Sequence, residues 1–343
     1  MRSSAHLPGN LPIIDIGPLL DPSASAPDVA DIALEIDHAC REIGFFGIVG
    51  HGVAPGLQAD LERAAHEFFA LPEEDKATIA MVHAGRAWRG WFPVGGELTS
   101  GRPDRKEGIY FGAEHPADHP RVVAGEALHG ANLAPTRPAE LGPLVDAWLV
   151  EMHGVASTVI GGIALALGLP RHWFADHLTY DATELFRIFH YPPSHKAAPT
   201  HDDDWGVAEH TDYGLLTVLA QDELGGLEVA RRDGGWTIVE PVAGMFVCNL
   251  GDMLERLTNG RYRSTPHRVR NTSTRGRLSF PYFFDPSWDA TVPVLPIGGA
   301  PDPAADDGRA RWDGADVTAW DGRYGDYLTA KVAKVFPELF AAT

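Results

Sequence analysis

The chain has 343 residues, 44% of them hydrophobic, enough to bury a substantial core with additional elements around it. Its 28 basic and 47 acidic side chains give a formal net charge of -19, which argues against phosphate-neutralising contacts with nucleic acid and favours a small-molecule substrate. The two cysteines, Cys40 and Cys248, cannot form a disulfide framework or a thiolate metal knuckle and are expected as reduced core thiols.

Residues 1–12 contain no apolar stretch of the signal-peptide kind, and no run approaches about 18 uninterrupted apolar residues. A cytoplasmic protein with no membrane partner is therefore expected. Leu11 to Ile16 reads as a strand closed by Gly17-Pro18, and Val29, Ile32, Ala33, Ile36, Ala39 and Ile43 then recur at helical spacing until Gly44. Phe45 to Val49 reads as a second strand, and Leu57, Leu61, Ala64, Ala65 and Phe68 as a second helix stopped by Pro72. Residues 82–136 are rich in Gly, Pro and His with little periodicity, which predicts a long irregular region at the surface or over a site. Pro138 suits a first helical turn, and a 3.6-residue pattern then runs from Leu141 to Leu167, predicting one long, largely buried helix ended by Gly168.

From Thr183 to Asp285 the pattern changes to short β-type runs between turn residues: Leu185 to Tyr191, Leu215 to Ala220, Leu227 to Ala230, Trp236 to Val239, Met245 to Asn249, Arg268 to Asn271 and Leu278 to Phe284. That density of strands predicts a sandwich or jelly roll. Pro301 to Gly314 reads as a loop and Tyr324 to Phe340 as a C-terminal helix. The expected organisation is mixed α+β in three parts: 1–136 with helices and strands flanking the core, 137–300 as the core with its long helix, and 301–343 as loop and helix.

His210-Thr211-Asp212 sets an imidazole and a carboxylate two residues apart, on one face if the backbone is extended. Such a pair is a weak signal, and His201-Asp202-Asp203 repeats it in a polar stretch read here as a solvated acidic loop. The downstream His267, at the entry to a β run, favours the first pair. His210, Asp212 and His267 together would leave half of an octahedron open, which suits iron(II) with O2 and a chelating co-substrate better than a closed zinc site. Ten residues on, Arg277 and Ser279 share one face of an apolar strand. A buried guanidinium there requires an anion, either a protein carboxylate or that of a ligand.

These residues lie within His210-Thr211-Asp212-Tyr213-Gly214-Leu215-Leu216-Thr217, Asn249-Leu250-Gly251-Asp252, Thr258-Asn259-Gly260, Ser264-Thr265-Pro266-His267-Arg268-Val269 and Arg277-Leu278-Ser279. With Leu11-Pro12-Ile13-Ile14-Asp15 and Gly44 to Gly52, they resemble the isopenicillin N synthase-like family of iron(II) and 2-oxoglutarate dependent oxygenases. The resemblance implies a double-stranded β-helix (jelly-roll) core with an N-terminal helical region and a C-terminal helix. It implies iron held by His210, Asp212 and His267, and 2-oxoglutarate anchored by Arg277 and Ser279, with Tyr191 reaching a carboxylate. Plant members usually carry Asn two residues before that tyrosine, where this sequence has Phe189.

By family geometry, Phe283, Trp91, Phe92 and Trp205 are candidate substrate walls. The implied reaction hydroxylates, desaturates or cyclises a small molecule, with 2-oxoglutarate converted to succinate and CO2. Two alternatives stay open: an oxidase on the same scaffold with Arg277 holding the substrate's own carboxylate, and a silent jelly-roll binding protein. The sequence does not determine the oligomeric state or the prime substrate.

Overall fold

A computed structural model describes residues 11–194, 205–297 and 316–337. Its framework is a large sheet of β1 (Ile13–Asp15), β2 (Phe45–Val49), β3 (Gly90–Phe92), β6 (Glu107–Gly112), β7 (Ala182–Tyr191), β9 (Leu216–Gln221), β12 (Phe246–Leu250) and β14 (Arg277–Ser287). Their order is β1-β2-β12-β9-β14-β7-β6-β3, parallel only between β1 and β2. A smaller sheet of β8 (Val207–His210), β10 (Leu227–Ala230), β11 (Trp236–Val239) and β13 (His267–Val269) has the order β11-β10-β13-β8. A short ribbon pairs β4 (Leu98–Thr99) with β5 (Arg102–Pro103). The two main sheets are the walls of the expected jelly roll, with most helices interleaved among the strands of the N-terminal half, one between β12 and β13, and one after β14.

The period-2 geometry of a strand explains how this sheet carries an apolar face and a chemical face. On β7 and β14 the alternate residues Phe186, Ile188, Leu278, Phe280, Tyr282 and Phe284 are buried. Trp148, at 0% exposure in the long helix Leu141–Ala166, lies with its ring 6.5 Å from Phe186, 5.8 Å from Phe246 and 6.5 Å from Phe280. The intervening residues, Leu185, Arg187, Phe189 and Tyr191 on β7 and Arg277, Ser279, Pro281, Phe283 and Asp285 on β14, line an internal cavity. The long helix is apolar enough, by length and composition, to cross a membrane. In this fold its buried residues pack against the sheet on one side and against helices Ala26–Glu42 and Pro55–Phe69 on the other.

Residues 82–136 depart from the irregular region predicted, because β3 and β6 lie there and extend the large sheet from β7. These strands are short and interrupted by glycine, so their local β signal is weak. Gly108 is required by packing: a Cβ on it would lie 2.7 Å from the Phe189 ring and 2.9 Å from Phe92. The long helix begins at Leu141. The C-terminal helix spans Tyr324–Val335, while the expected loop 301–314 and the end at Phe340 lie outside the described residues.

Candidate metal centre and its cavity

His210, the last residue of β8, and His267, the first of β13, are direct cross-strand partners with ring centroids 4.2 Å apart. Each turns Nδ1 toward a backbone carbonyl two residues before it, Ala208 at 2.8 Å and Thr265 at 3.2 Å. A ring that donates from Nδ1 keeps the Nε2 lone pair free for a metal. Both Nε2 atoms lie 3.8 Å from Asp212 Oδ1, and ligand atoms of the three side chains all fall within 4.8 Å of one another.

Asp212 does not share a strand with His210 as the spacing suggested, because β8 ends at His210. Its position is fixed from outside the strand. The Asp252 amide donates to the Asp212 carbonyl at 2.8 Å, and Met253 to that of Gly214 at 2.9 Å. This seats the start of helix Asp252–Leu257 beneath the turn. Gly251 permits the approach, since a Cβ there would lie 2.3 Å from the Gly214 carbonyl oxygen. Asn249 Nδ2 at 2.6 Å and the Thr217 hydroxyl donate to Asp212 Oδ2, leaving Oδ1 for the imidazoles.

Burial and the neighbouring His210 hold His267 down to about 4, against the pull of Asp212. Burial opposes ionisation of Asp212, but His267, His210 and the bonds from Thr217 and Asn249 keep its carboxyl below the ordinary value. Neutral imidazole beside ionised carboxylate is the ligand state a divalent ion needs. Three donors on one side leave the remaining positions open, as iron(II) with an oxygen-donor chelate and O2 requires. The residues therefore fit iron.

Arg277 is 1% exposed. Its Nε donates to the Gly225 carbonyl and its Nη2 to Gln221 Oε1 at 3.1 Å, whereas buried Nη1 has no partner. Among the described residues no carboxylate pairs with it, so the internal ion pair considered from sequence is not formed. Tyr191 hydroxyl is 3.3 Å from Ser279 Oγ, and its ring lies 4.7 Å from the guanidinium. Arg277, Ser279 and Tyr191 thus form one buried corner with an orphaned cationic donor, suited to a dicarboxylate co-substrate.

The cavity, of about 150 Å³, also receives Phe283. Leu328, Val332, Val335 and Phe336 of the C-terminal segment close it, while Glu97 and Thr99 near the β4 ribbon line it from the N-terminal half. Tyr327 donates to buried Asp252 at 2.7 Å and Tyr324 to buried Asp285, fastening the helix beside the metal ligands.

The other three aromatic candidates are not wall residues. Trp91 points away and donates to Glu107 at 3.0 Å. Phe92 packs behind the wall between Tyr110 and Phe336. Trp205 stacks on Arg268, 4.0 Å from its guanidinium. The alternative pair at His201 and Asp203 lies outside the described residues. Sequence reasoning missed Thr217, Asn249 and Gln221, which position site residues, and the cavity residues Glu97, Lys106 and Arg187. Arg187 did have a legible signal, being a lone charge in an apolar strand two and four residues before Phe189 and Tyr191.

Comparison with known proteins agrees with this geometry. Residues 11–137 match the model of the non-haem dioxygenase in morphine synthesis N-terminal region, and residues 182–286 that of the 2OG-Fe(II) oxygenase superfamily. A protein described as a probable iron/ascorbate oxidoreductase of Dictyostelium discoideum is 42% identical over 348 residues, covering 96% of this chain and 95% of its own. A 1-aminocyclopropane-1-carboxylate oxidase of Dictyostelium mucoroides is 35% identical, covering 96% and 95%. A homoarginine-6-hydroxylase of Glycine max is 36% identical, covering 96% and 98%. In fold, the protein is similar to a full-length Neurospora crassa protein crystallised with alpha-KG and thymine. The TM-score is 0.79 at 23% identity, covering 97% of this chain and 99% of that one.

Proposed function

The chain belongs to the 2OG-Fe(II) oxygenase superfamily and is a non-haem iron, 2-oxoglutarate-dependent dioxygenase, and we propose that His210, Asp212 and His267 hold its iron while Arg277 anchors 2-oxoglutarate. The observation that carries this assignment is the convergence of two Nε2 atoms and Asp212 Oδ1, with every competing hydrogen bond on these residues directed elsewhere. When bound, iron and 2-oxoglutarate supply O2 activation coupled to oxidative decarboxylation, yielding succinate and CO2.

The protein's own work is positioning. Thr217 and Asn249 keep Asp212 from rotating. Arg277 presents its desolvated, unpartnered Nη1 to the distal carboxylate, with Ser279 and Tyr191 beside it. Leu328, Val332, Val335 and Phe336 exclude water from the reacting region. The prime substrate in this reading is a small molecule held against Phe283. Nucleic acid and membrane are not partners, in keeping with the acidic charge and the burial of the long helix. A cytoplasmic location suits the two buried, unbridged thiols.

The test is the metal content of His267→Ala. Removing one of three ligands should abolish tight iron binding and turnover. Stoichiometric iron and retained activity in that variant would overturn the triad.

A further inference from the structure

The cavity carries charges that neither the metal centre nor the 2-oxoglutarate corner uses. Arg187 stands in the same inward row of β7 as Tyr191, four residues away and so roughly 13 Å along the strand. It is 6% exposed, and its guanidinium lies 3.5 Å from the centre of the Tyr110 ring. Its Nη1 donates to the backbone carbonyls of Phe111 at 3.4 Å and Phe186 at 3.2 Å. Among the described residues no carboxylate lies within ion-pairing distance of it. Asp285, the acid on the neighbouring strand, accepts from Tyr324 and feels the Arg187 charge from beyond ion-pairing distance. A buried guanidinium held by two carbonyls and the Tyr110 side chain, with no carboxylate in ion-pairing distance, is a receptor for an anion.

On the other side of Tyr110 the sign reverses. Its hydroxyl donates to Glu97, which is 8% exposed. Lys106 Nζ is 2.8 Å from Glu97 Oε2, but off a hydrogen-bonding direction, so that buried oxygen has no hydrogen bond. Lys106 also pairs with Asp104, which accepts from Thr99 at 2.7 Å. Two buried carboxylates therefore share one ammonium. Burial, only partly offset by Lys106, raises Asp104 to about 6, as expected where negative charge is under-compensated. A second cation beside Glu97 would complete the balance.

An anion receptor over the ring and a carboxylate at the hydroxyl of the same Tyr110 thus both line the cavity, the pairing of charges that one α-amino acid head group requires. Arg187 on β7 is two strand spacings, roughly 10 Å, from β9, whose Thr217 holds Asp212, with Phe283 of β14 between.

Resting on the oxygenase reading, we propose that the prime substrate is a free α-amino acid, its carboxylate on Arg187 and its ammonium on Glu97, with its R group passing Phe283 toward the metal. In a hydroxylation, one C–H bond of that R group becomes C–OH with one atom of O2. The other atom enters succinate, and 2-oxoglutarate leaves as succinate and CO2.

Calorimetry on the iron- and 2-oxoglutarate-loaded enzyme under nitrogen reads binding without turnover. The probes are the twenty proteinogenic L-amino acids and, for each that binds, the amine lacking the carboxylate and the acid lacking the ammonium. At least one amino acid should bind, with both truncated analogues weaker by about tenfold or more, the loss of one charge-assisted contact. Glu97→Gln should weaken the amino acid by a similar factor and leave the ammonium-free acid within about threefold. The proposal is overturned if no amino acid binds, if the ammonium-free acid binds as tightly as its parent, or if Glu97→Gln weakens both ligands alike. Should that variant not fold, the three-ligand comparison on the wild-type enzyme decides alone. Succinate formed from 2-oxoglutarate without added amino acid checks the underlying oxygenase reading separately.

Discussion

Arg277→Gln tests the co-substrate corner without touching the metal. The guanidinium is 1% exposed and has two of its groups committed to Gly225 and Gln221, which leaves Nη1 for a ligand carboxylate. Glutamine keeps polarity at that position but removes the charge and the fork. The distal carboxylate of 2-oxoglutarate would then be buried without its partner, a loss of about 2 to 4 kcal/mol. At about 1.4 kcal/mol per decade, the KM for 2-oxoglutarate should rise roughly 30-fold to a thousandfold. The assay is initial-rate succinate release over a 2-oxoglutarate series, with iron content shown equal to wild type and folding checked by thermal unfolding. A KM within about threefold of wild type, far less than the loss of such a contact, would refute the anchor and favour Arg277 as a holder of the substrate's own carboxylate.

Thr217→Val keeps the shape of a residue whose hydroxyl donates to Asp212, so the variant should fold yet bind iron about 10- to 100-fold more weakly, measured by competition with a chelator. An unchanged iron affinity would show that Asn249 alone orients the carboxylate. Acid stability should depend on His115, whose pKa is lowered from 6.5 to about 4 by burial and by the neighbouring His129 and His119. A histidine held neutral in the fold contributes stability that is fully present above about pH 6.5 and is lost as pH falls toward 4, because the unfolded state takes up the proton first. The melting temperature of His115→Gln should therefore fall less between pH 6.5 and 4 than that of wild type, and parallel curves would remove His115 as a cause.

Most of the β-rich half was legible because each strand carries its own signal: Leu227–Ala230 and Trp236–Val239 were located from β-branched and aromatic residues between turns. The metal ligands were legible as a set because one fold brings H-x-D and a distant histidine together as cross-strand partners. What escaped was information that exists only after pairing. β3 and β6 are short and glycine-broken, and become strands through β7. For the same reason Trp91 and Phe92 were read as loop residues over the site, when pairing turns one toward Glu107 and buries the other behind Phe336. Glu97, Asp104 and Lys106 are ordinary charges in sequence. Burial within hydrogen-bonding reach of one another gives them a role, and no local pattern encodes it.

The central claim is that this site couples substrate oxidation to 2-oxoglutarate, and the most direct measurement is the ratio of succinate to oxidised product in single-enzyme turnovers with Fe(II) under air. The account predicts at least one succinate per product and no product when 2-oxoglutarate is withheld. Product formed at full rate without 2-oxoglutarate, and without succinate, would contradict it and identify an oxidase on the same scaffold.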